Sequence, residues 1–124
     1  MSEIRYTRDH EWILKKGDII TLGVTAYAAE QMGDVVFVQL PELTQKLSLG
    51  EEAVVLESVK AAGDILAPFD CTVIAVNEGL VNSPEFVSDD PTGEGWFFKV
   101  QACSAEQFSH FMGQREYDEY IENL

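Results

Sequence analysis

One lysine in the middle of the chain has the setting that covalent attachment of a cofactor requires. Lys60 follows the apolar run 53–56 and precedes the apolar run 65–67, both of which are typical of strands. This pattern predicts a hairpin with Lys60 at its tip, where a primary amine kept clear of the core is open to a modifying enzyme that forms an amide bond. An ordinary solvated lysine in a turn fits the local sequence equally well, so the rest of the chain has to decide.

Composition limits the partners and the size of the protein. The 124 residues are enough for one domain, which we expect to span 1–124. The 22 acidic and 8 basic residues give a formal net charge of −14. Such a surface repels phosphate backbones and anionic headgroups and attracts basic protein patches. Nucleic acid and membrane surfaces are therefore excluded as partners, although acidity of this kind also serves solubility.

The chain lacks targeting and cysteine-based signals. Its apolar runs are far shorter than the roughly 20 residues of a membrane span, and residues 1–5 do not resemble a signal peptide. We therefore expect a cytoplasmic protein, unless a transit peptide has been removed from the sequence. Cys71 and Cys103 form neither a disulfide framework nor a metal-binding spacing, so both are interpreted as buried free thiols.

Short apolar runs separated by turn residues predict a small β sandwich or barrel. The first two strands have the pattern of a hairpin. Three helical segments interrupt the β pattern, and the aromatic residues of the last one, at helical spacing, are interpreted as packing residues. We expect strands near 10–16, 18–24, 35–40, 52–58, 64–68, 71–77 and 95–101, and helices over 25–32, 105–112 and 115–124.

No arrangement of residues predicts catalysis. His10 and Glu11 are neighbours, but adjacent strand residues point to opposite faces, which argues against an acid–base pair. We therefore interpret His10 as structural and His110 as a helix-surface residue. The sequence contains no nucleophile–base motif, metal cluster or phosphate-binding glycine loop, so an enzyme is not expected.

Several motifs together resemble the H protein of the glycine cleavage system, a lipoyl carrier. The segment 6–12 resembles the family's opening signature, and Gly33 to Pro41 follows it in the family order. Glu57 to Ala62 resembles the lipoylation motif. Shorter matching segments follow at 67–68, 76–77, 83–84 and 93–96, so the resemblance covers nearly the whole chain.

This resemblance implies a mainly β protein, a lipoyl-type barrel-sandwich hybrid of two antiparallel sheets with short helices and a C-terminal helix. It implies a non-enzymatic carrier with lipoate amide-linked to Lys60, attached by a lipoate–protein ligase or lipoyl transferase. Small neighbours such as Ser58 and Gly63 leave the lysine unobstructed. Glu57 would be recognised by the ligase or would shape the lysine's environment, unless it is an ordinary surface carboxylate.

The implied partners are the glycine cleavage enzymes. In the family, glycine decarboxylase loads an aminomethyl group onto the lipoyl arm, an aminomethyltransferase unloads it, and dihydrolipoamide dehydrogenase reoxidises the dithiol. A swinging arm on a rigid base keeps the thiols near these sites and raises their effective concentration.

Departures from the family pattern leave other pathways open. A related lipoate-binding protein of bacterial sulfur oxidation would serve a heterodisulfide-reductase-like complex and carry sulfur intermediates, and a cysteine such as Cys71 would suit that role. A relay that hands lipoate to other enzymes, a biotin carrier and a purely structural domain are further alternatives. Biotin carriers usually place methionines beside the lysine, where this chain has Val59 and Ala61. The departures are Ala26, Gln39, Gly63, Leu66, Cys71 and Thr92.

Overall fold

Two antiparallel sheets face each other in the structure, a computed structural model that describes residues 2–124. The larger sheet has the strand order β1-β2-β3-β9-β8-β5 and the smaller one the order β4-β6-β7. This arrangement confirms the predicted two-sheet β architecture. The strands are β1 Ser2–Tyr6, β2 Glu11–Lys16, β3 Ile19–Val24, β4 Val35–Gln39, β5 Lys46–Leu47, β6 Glu52–Ser58, β7 Ala62–Leu66, β8 Cys71–Val76 and β9 Phe98–Gln101.

Short helices connect the strands, and a longer one ends the chain. Thr25 caps the first helix by accepting a hydrogen bond from the backbone N–H of Ala28, at 3.2 Å. Ser104 caps the fourth in the same way through the N–H of Gln107. No helix within residues 2–124 is both long and apolar enough to cross a bilayer. The helices are α1 Ala26–Met32, α2 Gly79–Asn82, α3 Phe86–Asp89, α4 Ala105–Ser109 and α5 Gln114–Glu122.

The main core lies between the two sheets. Ile13 and Leu22, which pair across β2 and β3, point inward with Val54 and Leu56 of β6, and all four are almost completely buried. This alternation places every second side chain of a strand in the core. The smaller sheet is thereby held rigidly against the larger one.

A second cluster, made largely of aromatic residues, packs the C-terminal helix onto the other face of the larger sheet. Tyr6 and Tyr117 stack with ring centroids 4.7 Å apart, and Trp12 is buried beside them. The Tyr117 hydroxyl lies 2.7 Å from Oγ1 of Thr25 and 2.9 Å from Nδ1 of His10. The prediction that the aromatic residues of the last helix serve packing is confirmed.

Several elements differ from the prediction. Strand β1, strand β5 and the one-turn helices α2 and α3 were not expected. The predicted helix 105–112 ends early, at Ser109, and β9 begins at Phe98 rather than at 95. The expected hairpin of the first two predicted strands is present as β2 and β3.

Candidate functional site

Strands β6 and β7 form the predicted hairpin, with Lys60 at its tip. The pairing of the two strands runs from Glu52 opposite Leu66 to Glu57 opposite Ala62. The turn between them is therefore Val59 to Ala61. Lys60 is exposed and belongs to neither of the two ion pairs found in residues 2–124. Its amine is therefore open to a modifying enzyme.

The turn that carries Lys60 is fixed by local hydrogen bonds. The backbone N–H of Ser58 donates to the carbonyl oxygen of Ala61 at 2.8 Å. The Ser58 hydroxyl accepts a hydrogen bond from the N–H of Ala61 and donates one to its carbonyl oxygen. The N–H of Val59 donates to the carbonyl oxygen of Asp34, which ties the tip to the start of β4. A flexible side chain thus projects from an ordered backbone.

The aliphatic part of Lys60 lies over Gly33, the residue that ends α1. Gly33 has φ 73°, a conformation that favours glycine, and a Cβ built there would lie 3.2 Å from Cε of Lys60. Ser88 of α3 holds this loop, because its hydroxyl donates to the Gly33 carbonyl oxygen and accepts from the N–H of Val35. Glycine at this position therefore leaves room for the lysine methylenes.

Glu57 lies on the solvent-facing side of the smaller sheet rather than against the lysine. It pairs with Phe37 on one side and with Ala62 on the other, and its side chain is exposed. Since no ion pair joins Glu57 to Lys60 in the described chain, its carboxylate is free to meet a partner.

Sequence reasoning missed the burial of Glu11. This residue is 1% exposed, and its Oε1 accepts a hydrogen bond from the Thr7 hydroxyl at 3.2 Å while its Oε2 has no partner among residues 2–124. Burial raises the pKa of the Glu11 carboxyl to about 8. The available signal was its position two residues before Ile13, on the inward side of β2.

Glu11 lines an open cleft beside β7. Its opposite wall is formed by the β7 segment from Asp64 to Leu66. The Oε2 atom of Glu11 is itself buried, so this oxygen is not open to the cleft. The remaining lining comes from Arg8, Asp9 and His10.

His10 and Glu11 contact different partners, although His10 does not lie on the strand that was predicted to begin with it. His10 lies in a turn with φ 66°, and its ring contacts the Tyr117 hydroxyl of the aromatic cluster, whereas Glu11 contacts Thr7. His110 lies at the C-terminal end of α4 and is exposed. In the part of the chain that the structure describes, no three His, Cys, Asp or Glu residues could hold a metal ion.

The two cysteines are free and half-buried rather than fully buried. Burial is the main cause that raises the pKa of the Cys71 thiol, to about 11, and it also raises that of Cys103. Little thiolate therefore forms at neutral pH, and thiolate is the reactive form. Cys71 begins strand β8, after the hairpin has ended at Leu66, and it pairs with Leu47 of β5 rather than with the segment that carries Lys60.

A rigid two-sheet β domain that presents an exposed lysine at a tight hairpin tip defines a class of protein, the cofactor-carrier domains. The family model "Glycine cleavage H-protein" matches residues 4–124. The chain therefore belongs to the glycine cleavage H-protein family, whose members are non-enzymatic carriers with lipoate covalently bound to a lysine.

Individual relatives agree with this assignment. The chain is 44% identical to a glycine cleavage system H protein of Parvibaculum lavamentivorans, over 100% of this chain and 99% of the relative. It is 48% identical to glycine cleavage system H protein 1 of Pseudomonas aeruginosa, over 98% of this chain and 95% of the relative. The crystal structure of a glycine cleavage system H protein from Mycobacterium marinum superimposes with a TM-score of 0.84 at 34% identity, covering 98% of each chain.

These comparisons confirm the predicted family, fold class and cofactor. The protein is a lipoyl carrier, and the family implies partners of the glycine cleavage system in general. The comparisons give no support to the sulfur-oxidation alternative.

Proposed function

We propose that Lys60 is the residue to which lipoate is amide-linked. The observation that carries this proposal is the position of Lys60, exposed and free of ion pairs at the tip of a hairpin whose backbone is held by Ser58 and Asp34. The site fits the cofactor because Gly33 offers the lysine stem a surface without a side chain. We propose that 1–124 acts as one lipoyl-carrier domain, which is supported by a core shared by both sheets and α4.

The protein's part in the reaction is to present and confine the arm. When bound, lipoate would supply the disulfide that takes up the aminomethyl group at glycine decarboxylase, and the dithiol that is left after aminomethyltransferase has acted and that dihydrolipoamide dehydrogenase reoxidises. The hydrogen-bonded turn fixes the point of attachment, while the exposed Lys60 side chain allows the arm to swing. A fixed base with a mobile arm raises the effective concentration of the thiols at each partner. A cytoplasmic location of the protein remains a prediction from the sequence.

Loading with labelled glycine tests this function. The lipoylated protein, with its lipoyl group in the oxidised disulfide form, is mixed with glycine decarboxylase and glycine labelled at C2. It is expected to gain label as the disulfide is reduced, and peptide mapping should place the label on the fragment that contains Lys60. The unlipoylated protein is the control and should stay unlabelled. A fully lipoylated protein that gains no label would refute the glycine cleavage role, and lipoate found on another lysine would refute the site.

We propose that Glu57 is recognised by the lipoate–protein ligase or lipoyl transferase. Because its carboxylate is exposed and unpaired, replacing it should not affect folding, but it removes a charge that faces the approaching enzyme. Glu57→Gln is expected to lower kcat/KM for lipoylation about fivefold, within the range of one partly exposed charge contact. The rate is followed by intact mass.

Glu78→Gln, another exposed carboxylate replaced by its neutral counterpart, is the matched control for Glu57 and should leave the rate unchanged. Equal rates for the two variants and the unmodified sequence would show that Glu57 is an ordinary surface residue.

A further inference from the structure

The strand pairing of the smaller sheet defines a face that points away from the core. Phe37 pairs with Glu57, and Glu57 pairs with Ala62, so these three side chains share one side of the sheet. In the next row on this side, Val55 of β6 pairs with Gln39 of β4 and with Asp64 of β7. We call this surface the outer face, and it consists of Phe37, Gln39, Val55, Glu57, Ala62 and Asp64.

An exposed aromatic side chain occupies the outer face, one row from the lysine hairpin. Phe37 is 45% exposed. Val36, its neighbour in the chain, is 56% exposed, and Val59, at the hairpin tip, is 67% exposed. From Gln39 and Val55 the surface continues into a groove of about 430 Å³. Aromatic residues are enriched in protein interfaces. The outer face therefore has the composition of a contact surface beside Lys60.

Carboxylates border this apolar surface without basic partners. Glu57 and Asp64 lie on the outer face, and Glu52 lines the groove that continues from it. The ion pairs within residues 2–124 are Arg5 with Glu3 and Arg115 with Glu119, so none of the three bordering carboxylates is neutralised. A hydrogen bond to Asp64 is the main cause that raises the pKa of Glu52, which places the two groups side by side. A basic side chain from a partner would relieve this crowding.

Charge excludes a second copy of the chain as the occupant. A symmetric dimer through the outer face would bring the bordering carboxylates of two molecules together, each with a net charge of −14. The occupant must instead carry basic groups around an apolar pocket.

The distance from Lys60 at which each candidate enzyme acts decides which basic partner occupies the outer face. The enzymes that act on the loaded cofactor meet the far end of the extended arm, so their contacts can lie at some distance from the hairpin. The enzyme that attaches lipoate must bring its acyl group to Nζ of Lys60 itself, and it has only the length of a lysine side chain to do so. Its contacts must therefore lie next to the hairpin, where the outer face is.

We propose that the outer face is the docking surface for the enzyme that acylates Lys60, a partner with an apolar pocket for Phe37 bordered by lysine or arginine side chains. This inference rests on the proposed function of Lys60. In the reaction, the neutral amine adds to the carbonyl carbon of an activated lipoyl group, which is the mixed anhydride with phosphate when the ligase uses lipoate and ATP. The amide C–N bond forms, the activating group leaves with its electron pair, and the amine loses one proton.

Kinetics of acylation test the inference. A lipoate–protein ligase with lipoate and ATP is mixed with the unlipoylated protein, and the adduct is followed by intact mass. Phe37→Ser is expected to raise KM for the carrier about tenfold with kcat within about twofold, as removal of one aromatic interface residue does. Ile19→Ser is the matched control, because Ile19 is also a strand residue and is 42% exposed, but lies on the larger sheet. Thermal unfolding checks that both variants are folded.

The outcomes separate this inference from the function on which it rests. Acylation of the unsubstituted protein at a lysine other than Lys60 would overturn both. Acylation at Lys60 with equal KM for Phe37→Ser and the unsubstituted protein would overturn the docking surface alone. After prolonged acylation, fully lipoylated Phe37→Ser should accept label from glycine and glycine decarboxylase at the normal rate. A defect in this step with unchanged acylation would assign the outer face to the decarboxylase instead.

Discussion

The Lys60→Arg protein is expected to fold normally and to accept no lipoate. Arginine keeps the positive charge and a long aliphatic stem, but its guanidinium stays protonated at neutral pH and is no nucleophile for amide formation. Because Lys60 is exposed and forms no ion pair among residues 2–124, the substitution should change the free energy of unfolding by less than about 0.5 kcal/mol. The loss of acylation should therefore be complete and separate from any loss of stability.

Intact mass after incubation with ligase, lipoate and ATP measures this loss. Lys46→Arg is the control, since Lys46 is also exposed and lies on strand β5, and it should be acylated at the normal rate. The two variants should also differ in labelling by glycine, which we expect to be absent only for Lys60→Arg. A lipoyl adduct on Lys60→Arg would show that another residue carries the arm.

Sequence reasoning located this hairpin because its determinants are local. Two apolar runs on either side of a short connecting segment specify paired strands, and the turn leaves a long side chain at the tip in solvent. The same local logic found α1 between Thr25 and Gly33, where a capping hydroxyl and a glycine mark the two ends. The carrier class followed from these local signals and the resemblance.

The elements that were missed depend on partners distant in the chain. Strand β1 forms because Ser2 to Tyr6 pairs with β2, and the backbone of Tyr6 also bonds to Met112. Helix α3 is a single turn without a side-chain cap, so no local signal marks it, yet its Ser88 holds the loop beneath Lys60. The outer face was hidden for the same reason, since it depends on which strands are neighbours.

Strand β2 shows why the burial of Glu11 was missed. Ile13 faces the core between the sheets, while Trp12 is covered on the other side by the aromatic cluster, so consecutive residues are buried and the period of two is lost. A charged residue at the start of such a strand is expected to reach solvent. Here the fold encloses it instead, and the consequence is measurable.

Glu11 is expected to make the protein less stable as the pH rises. Its pKa is about 8 in the folded protein against 4.5 for an unperturbed glutamate, so between these values the folded state keeps a proton that the unfolded chain releases. The favourable contribution is complete below pH 4.5 and is lost as the pH rises through 8. The whole shift corresponds to roughly 5 kcal/mol of unfolding free energy, of which roughly 4 kcal/mol falls between pH 5 and pH 9.

Comparison with Glu11→Gln isolates this contribution. Glutamine has nearly the same shape and no titration, so any fixed cost of its amide group is the same at every pH. Urea unfolding at pH 5 and pH 9 should therefore show the variant gaining roughly 4 kcal/mol relative to the unsubstituted protein. His10, whose pKa burial lowers, has the opposite dependence, but it is present in both proteins and cancels in the difference. Glu122→Gln, at an exposed position, is the control and should have the stability of the unsubstituted protein at both pH values. If the stability of Glu11→Gln changed between pH 5 and pH 9 by the same amount as that of the unsubstituted protein, the Glu11 carboxyl would titrate normally in the folded protein.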